Sequence, residues 1–289
     1  MSKIKIITDS ASDISAENES RFAIRVIPFK VALGSDSYIS RVDFDNEQFY
    51  TMMGKYDGIP VTSQITPFEF EEIFSDYYNQ GFTDVIYISI NSEGSATYGN
   101  SVMAKNSFFD NNPQAAGEYN IYCIDSRTYT GAYGYAVVKS AQMAMDGKSA
   151  DEIVEFANDW LEKCTIFFAP YTLKYAKKSG RIPSAVAFVG DALGLCPIMK
   201  IFDHKITTFS KARGRASVVP SVADCVMKEI EKGSDYCIVY GDDKQVRDDM
   251  AQEMTKRLGY PPSDFYQIGA AIAANAGPTV SGVIFRAKI

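Results

Sequence analysis

Residues 85–101 read VIYISINSEGSATYGNS, and this stretch decides the fold. Val85 to Ile90 is an apolar, β-branched run of strand length, the pattern of a strand buried on both faces. It breaks at Asn91-Ser92-Glu93-Gly94-Ser95-Ala96-Thr97, and a helix-forming stretch opens near Tyr98. A strand that ends in a hydroxyl-rich loop and feeds a helix gathers O–H and N–H donors at the positive end of the helix dipole. An anion can rest there without a basic side chain. The device returns twice. Thr8-Asp9-Ser10-Ala11-Ser12-Asp13 follows the strand Ile4-Ile7, and Asp125-Ser126-Arg127-Thr128-Tyr129-Thr130-Gly131 follows Tyr119-Ile124. In an open parallel sheet such loops collect at the carboxyl ends of the strands, where ligands bind. A fourth polar stretch, Pro60-Val61-Thr62-Ser63-Gln64-Ile65-Thr66-Pro67, precedes a helix and can reach the same crevice. Singly, each loop also reads as a helix N-cap, for which Ser, Thr and Asp are preferred. As a set of four they point to one shared site.

Outward from these loops, helical patterns cover Asp45-Met53, Phe68-Tyr78, Ala96-Phe109, Gly131-Met145 and Ala150-Lys163. Asp43 or Asp45 caps the first, and Ser149 with Glu152 forms a capping box for the last. Strands alternating with helices imply a parallel sheet covered by helices. Arg25-Ala32 reads as extended and leads into an excursion, Leu33-Arg41, that turns at Gly34-Ser35-Asp36. After Lys163 the pattern changes. Strands are expected at Cys164-Ala169, Tyr236-Tyr240, Phe265-Ile268 and Val280-Arg286, with a hairpin, Cys196-Phe202 and Lys205-Phe209, turning at Asp203-His204. Helices are expected at Leu173-Lys178, stopped by Gly180, at Ser184-Leu193, at Ala216-Lys232 and at Gln245-Leu258. The fold class is therefore α/β. It comprises an N-terminal parallel-sheet α/β domain over residues 1–163 and a C-terminal α+β domain over residues 164–289 with a mixed or antiparallel sheet.

A chain of 289 residues buries enough surface to tolerate an internal cavity. The formal net charge of −7 argues against nucleic acid or an anionic membrane as the main partner, since both call for a basic face. No apolar run is long enough to span a bilayer. Met1-Ser2-Lys3 leads into a strand rather than a signal-peptide core, so a cytoplasmic location is expected. Five scattered cysteines without a C-x-x-C pair read as reduced, buried thiols. His204 is the only histidine and is expected in a surface turn. A Ser-His-Asp or Cys-His machine then lacks a base, and a histidine-ligated metal has no ligand. Asp9, Asp13 and Asp125 are expected to orient loops rather than to form an acid/base pair. No phosphate-loop or dinucleotide motif occurs in a strand–helix context. No catalytic residue, cofactor or metal is expected; the site is built to hold a ligand.

The motifs, in their order and spacing, resemble the DegV family of bacterial fatty-acid-binding proteins across essentially the whole chain. They are Ile7-Thr8-Asp9-Ser10-Ala11-Ser12-Asp13; Val61-Thr62-Ser63-Gln64 with Pro67 and Phe70; Ser92 to Tyr98; Asp125-Ser126; Leu173 to Ile182; Lys211-Ala212-Arg213-Gly214; and Asn275-Ala276-Gly277-Pro278. The resemblance implies an acyl chain buried between the two domains with its carboxylate at the hydroxyl loops. It also implies presentation of that fatty acid to a separate kinase that phosphorylates the carboxylate. Carried over by position, Thr62 and Ser95 would contact the carboxylate, Ser63 and Ala96 would lie beside it, and Asn275 and Ala276 would complete the ligand site. Arg181 would sit near the kinase docking surface. Apart from the resemblance, the Lys177-Lys178-Arg181 and Lys211-Arg213-Arg215 clusters stand out in an acidic chain; such charges are usually a solvated face, and the functional alternative is a docking surface for an acidic partner. The chain departs from the family at Gly94 and Ala96, where Leu and Gly are usual, at Asn275, where His is usual, and at Thr279, where Gly is usual. Ala96 lacks the freedom of Gly to adopt positive φ.

Candidates for a tunnel lining are Phe29, Phe167, Phe168, Phe188, Ile198, Met199, Ala271 and Ile272, each of which reads equally as core. Two other classes of function use the same residues. One is a carrier for a different small anionic metabolite on the same loops. The other is an acyl hydrolase or transferase with Ser95 or Ser10 as nucleophile, which the missing histidine disfavours.

Overall fold

The computed structural model describes residues 3–182 and 194–288. The helix expected at Ser184-Leu193 and the lining candidate Phe188 lie outside the described residues.

The first half runs β1 (Ile4–Asp9), α1 (Ala16–Arg21), β2 (Arg25–Ile27), β3 (Lys30–Leu33), β4 (Asp36–Ile39), α2 (Asn46–Lys55), β5 (Val61–Ser63), α3 (Pro67–Asn79), β6 (Asp84–Ser89), α4 (Thr97–Asn111), β7 (Asn120–Asp125), α5 (Gly131–Met145) and α6 (Ala150–Lys163). Strands β2-β1-β6-β7 form a fully parallel sheet in that order. Because side chains alternate across a strand, the unbroken apolar run of β6 serves two cores. Val85 and Tyr87 join Phe70, Phe74 and Phe108 of α3 and α4 on one face. Ile86 and Ile88 join the α5 and α6 side on the other. Capping boxes at Asp45/Gln48, Thr66/Glu69 and Ser149/Glu152 start α2, α3 and α6.

Strands β4-β3-β5 form a small antiparallel sheet. The β3–β4 hairpin turns at Gly34, whose φ is 67°. Two elements have no counterpart in the sequence reading. Helix α1 buries none of its residues, so it carries no apolar stripe. Strand β5 is three residues long and exists through its pairing with β3.

The second half runs β8 (Cys164–Pro170), α7 (Lys174–Ser179), β9 (Leu195–Phe202), β10 (Lys205–Arg213), α8 (Val218–Glu229), β11 (Tyr236–Tyr240), α9 (Lys244–Leu258), β12 (Asp264–Gln267), α10 (Ala270–Ala276) and β13 (Val280–Arg286). Its mixed sheet has the order β10-β9-β8-β13-β11-β12, antiparallel except for the β11–β12 pair. Phe167, Ile198, Ile238, Val283 and Phe285 pack one face against α8 and α9. Ile166, Phe168, Val239 and Val280 turn the other face toward the first half. Helix α10 was not expected, because its alanine run has no apolar–polar period, although alanine favours helix.

Helix α5 lies between the sheets, against β1 and β6 on one side and β8, β12 and β13 on the other. Its first seven residues are all buried. Two glycines permit this approach. A Cβ on Gly131 would fall 2.0 Å from Cγ of Tyr266, and one on Gly134 would fall 2.3 Å from the Ser12 carbonyl oxygen.

The β9–β10 hairpin corrects one expectation. Asp203 and His204 have φ of 42° and 68°, the left-handed pair that a two-residue type I′ turn requires. The tip docks on the first half rather than facing solvent. The His204 N–H donates to the Arg127 carbonyl at 2.9 Å, and Arg127 pairs with Asp203 at 3.5 Å. His204 is half-buried as a result. The turn residues themselves look like any exposed turn; the length of the hairpin carries them across.

All five cysteines are free, with Cys164, Cys225 and Cys237 buried and Cys123 and Cys196 partly so. Among the described residues no helix is long and apolar enough to cross a membrane, and no three His, Cys, Asp or Glu side chains gather around a metal-sized site.

Candidate functional site

Parallel pairing aligns the ends of β1, β6 and β7. Thr8 lies opposite Ile88, and Ser89 opposite Asp125, so the three loops emerge at one edge. Two carboxylates lock their shape. Asp9 is fully buried and accepts four hydrogen bonds: from the Ala11 N–H at 3.1 Å, the Ile90 N–H at 2.9 Å, Tyr87 at 2.9 Å and Tyr133 at 2.6 Å. Burial pushes its carboxyl pKa up, and the four donors oppose that rise. Asp125 accepts from the N–H groups of Ser92 and Arg127, each at 3.0 Å, binding the second loop to the third. Through these bonds both aspartates orient loops.

Asn91 is the central clamp. Its carboxamide oxygen accepts from the Glu93 N–H at 3.0 Å and meets His204 Nδ1 at 2.8 Å. Its nitrogen donates to the His204 carbonyl and to the Tyr129 hydroxyl, each at 3.0 Å. One buried amide therefore holds the 91–97 loop, the 125–130 loop and the β9–β10 hairpin together. At the start of α4, Ser95 Oγ and Thr97 Oγ1 are 2.8 Å apart, and Thr97 Oγ1 accepts from the Ile65 N–H at 3.4 Å. This ties the segment after β5 to the loop. Ala96 has φ −73°, an ordinary value, so the position makes no demand for glycine.

Between the two sheets lies a cavity of about 140 Å3 open to the centre of a water-sized sphere, roughly ten times what one water needs. Its wall is apolar. Ile166, Phe168, Ile201, Val239 and Val280 come from the mixed sheet, and Ala271 and Ile272 from α10. Thr62, Gln64, Ser95, Tyr129, Thr130, Arg181 and Asn275 supply its polar lining. Gly94, Ser95, Ala96, Tyr129 and Arg181 also border an open polar depression with Glu93, His204 and Lys205, so the polar side is the mouth.

Of the ligand-contact residues expected from sequence, Thr62, Ser95, Ala96, Asn275 and Ala276 line this cavity. Ser63 does not: alternation along β5 turns it away from Thr62, and it is exposed. Asn275 donates its Nδ2 to the Ala271 carbonyl at 2.8 Å, one turn back along α10. Helix α10 packs against β5, which sets Asn275 near Thr62. Arg181 is exposed at the mouth; Lys178 and Arg213 are exposed away from the lining. Of the tunnel candidates, Phe29, Phe168, Ala271 and Ile272 line the cavity, whereas Phe167 and Ile198 belong to the core beneath α8 and α9. Met199 is buried beyond the lining. Gln64 and Tyr129, which lie in two of the four polar stretches, line it as well, together with Ile90, Ile206 and Ile268. No local signal marks the three isoleucines, since each is assigned by what packs opposite.

The buried Asp13 and Thr130 close the inner side of the loops. Thr130 holds φ 53°, rarely adopted by a β-branched residue, where its carbonyl accepts the Gly134 N–H at 3.2 Å. Burial pushes the Asp13 carboxyl up to about 7.

A family model described as "Uncharacterised protein, DegV family" matches residues 3–288. A DegV domain-containing protein from Caldanaerobacter subterraneus subsp. tengcongensis is 30% identical over 293 residues, covering 100% of both chains. The fold matches that of a stearic-acid-binding protein from Eubacterium ventriosum with a TM-score of 0.87 at 24% identity, covering 99% of this chain and 98% of that one. It matches a DegV family protein from Thermus thermophilus, described for its fatty acid binding, with a TM-score of 0.86 at 22% identity, covering 99% and 100%.

Proposed function

The chain belongs to the DegV family, and from that premise we propose that it binds a long-chain fatty acid in the cavity between its two sheets. The observation that carries this reading is the cavity itself: an apolar wall with the neutral hydroxyls of Thr62 and Ser95 among its few polar groups. The carboxylate lies against Thr62 and Ser95, with Ala96, Asn275 and Ala276 around it. The tail runs along the mixed sheet and α10. The fatty acids named for the solved relatives support the same ligand class. Burying about 14 methylenes contributes roughly 11 kcal/mol gross, at about 0.8 kcal/mol each. Association and ordering costs of several kcal/mol still leave micromolar or tighter binding. Desolvating a carboxylate is costly unless donors replace the lost water, and hydroxyls with the N–H groups at the start of α4 do so.

On this reading residues 1–163 form a domain that carries the head-group loops, and residues 164–289 form a domain that covers the tail. The protein is a non-catalytic, cytoplasmic carrier. Neutral donors leave the carboxylate chemically accessible, which fits presentation to a kinase that forms the acyl phosphate. Arg181, Lys178 and Arg213, exposed cations of an acidic chain, are its proposed docking contacts. Charge reversal at Lys178 and Arg213, which lie away from the cavity lining, should abolish acyl-phosphate formation by the partner kinase and leave lipid binding intact; unchanged coupling would reject the docking assignment.

The ligand is tested by solvent extraction of the purified protein and mass spectrometry. A stoichiometric fatty acid is the expected result. A lipid-free extract from folded protein, with a phosphorylated metabolite retained, would favour the small-anion carrier instead.

A further inference from the structure

Tyr129 occupies a position that head-group binding by Thr62 and Ser95 does not use. Its ring lies directly over Gly94. A Cβ on that glycine would fall 2.5 Å from the phenol oxygen, 2.9 Å from Cε1 and 3.0 Å from Cζ, so any side chain at 94 would displace the phenol. Tyr129 borders the apolar cavity on one side and the polar depression on the other, beside Ser95 and Arg181. It therefore stands at the neck between the two.

The hydrogen bonds around it fix the direction of its proton. The Asn91 oxygen is used by the Glu93 N–H and His204 Nδ1, and its two nitrogen protons go to the His204 carbonyl and to Tyr129. Turning the amide over would set its NH2 against the Glu93 N–H, so the orientation is determined. Asn91 must then donate to the phenol oxygen, and Tyr129 cannot donate back along that line. Among the described residues the Tyr129 hydroxyl has the Asn91 amide as its hydrogen-bond partner, and no acceptor takes its proton. A half-buried phenol with its oxygen held and its proton uncommitted is a donor set in place for a ligand.

We propose that Tyr129 is a head-group ligand: its O–H, aimed by Asn91 and given room by Gly94, donates to the carboxylate of the bound fatty acid at the cavity neck. The proposal rests on the fatty-acid reading above and adds a third neutral donor to Thr62 and Ser95. Burial also pushes the phenol pKa up, which keeps the proton in place across the physiological range. A hydrogen bond to a charged acceptor is among the stronger ones, so its loss should be measurable.

The test compares wild type and Tyr129→Phe, which keeps the ring over Gly94 and removes only the hydroxyl. Both are titrated with oleate, and the carboxyl resonance of bound [1-13C]oleate is followed against pH. Removing a donor to the anionic form weakens oleate binding by about tenfold or more and raises the pKa of the bound acid by about one pH unit per tenfold lost. Gly94→Ala, which pushes the phenol aside, should reproduce both effects. If Tyr129 only braces the loop, the substitution weakens anionic and neutral forms alike and leaves the bound pKa unchanged; that result overturns the proposal, as does equal oleate affinity in wild type and Tyr129→Phe. A wild type that binds no oleate would reject the fatty-acid reading itself, and this inference with it.

Discussion

The N–H of Gly269 donates to Oδ1 of Asp13 at 2.8 Å, joining residues 256 positions apart. The bond ties the loop after β1 to the start of α10, across the two halves of the chain. Asp13 sits in the left-handed region with φ 53°, and its second carboxylate oxygen has no partner among the described residues.

Asp13 makes stability depend on pH. Burial raises its pKa from 3.8 to about 7, with the nearby Thr130 hydroxyl, the Gly269 N–H and Arg41 opposing and Asp9 adding to the rise. Between those values the folded chain keeps a proton that the unfolded chain loses, so stability falls as pH rises through this window. Asp9, also raised, acts in the same direction. Asp13→Asn keeps an acceptor for Gly269 and tolerates the left-handed backbone, but does not titrate. Its thermal midpoint should vary less than that of wild type between about pH 5 and pH 8, and exceed it at the upper end. Parallel midpoint curves for the two proteins would show that Asp13 does not titrate there.

Asp9→Asn tests the loop clamp. The tyrosine hydroxyls can rotate to accept from an amide, but the Ala11 and Ile90 N–H groups lie on opposite carboxylate oxygens and cannot. One backbone donor is left unpaired in a fully buried site, at a cost of about 1–3 kcal/mol. Chemical denaturation should show a lower midpoint with an unchanged slope.

Thr62→Ala and Ser95→Ala should each weaken oleate binding by about tenfold, the lower range for a bond to a charged group. The Ser95 change also removes the hydroxyl that accepts the Thr97 N–H at 3.3 Å, so it should loosen the start of α4 as well. Isothermal titration of both variants, with thermal midpoints in parallel, separates the two effects. Full affinity in the double variant would move the head group elsewhere.

Ala271→Leu adds bulk to the α10 wall of the cavity. Overpacking of this kind typically costs about 1–3 kcal/mol in stability. The extracted lipid profile should shift toward shorter acyl chains by a few carbons. An unchanged profile would show that the tail does not pass α10.

Much of the fold was legible locally. The β6 run, the capping box at Ser149, and the Gly180 helix stop each rest on interactions within a few residues, so composition and spacing report them directly; the structure chose Asp45 over Asp43 as the cap of α2. The hydroxyl loops after β1, β6 and β7 were legible for the same reason, because parallel pairing dictates that they share an edge. Strand β5 and helix α10 were not: one needs β3 as its partner, and the other is an alanine run whose burial depends on what covers it.

By itself the sequence determined the parallel sheet, a second sheet that is mixed or antiparallel, the loop edge and the hydroxyl chemistry presented there, since hydrophobic period and turn chemistry act over short range. Only the tertiary structure decided that His204 docks on Asn91, that Asp13 reaches Gly269, and that Ser63 faces away while Tyr129 stands over Gly94. Those relations depend on hairpin length, strand register and the space left by a missing Cβ. None of these leaves a periodic trace in the chain, because each is set by groups that meet only once the two halves have packed.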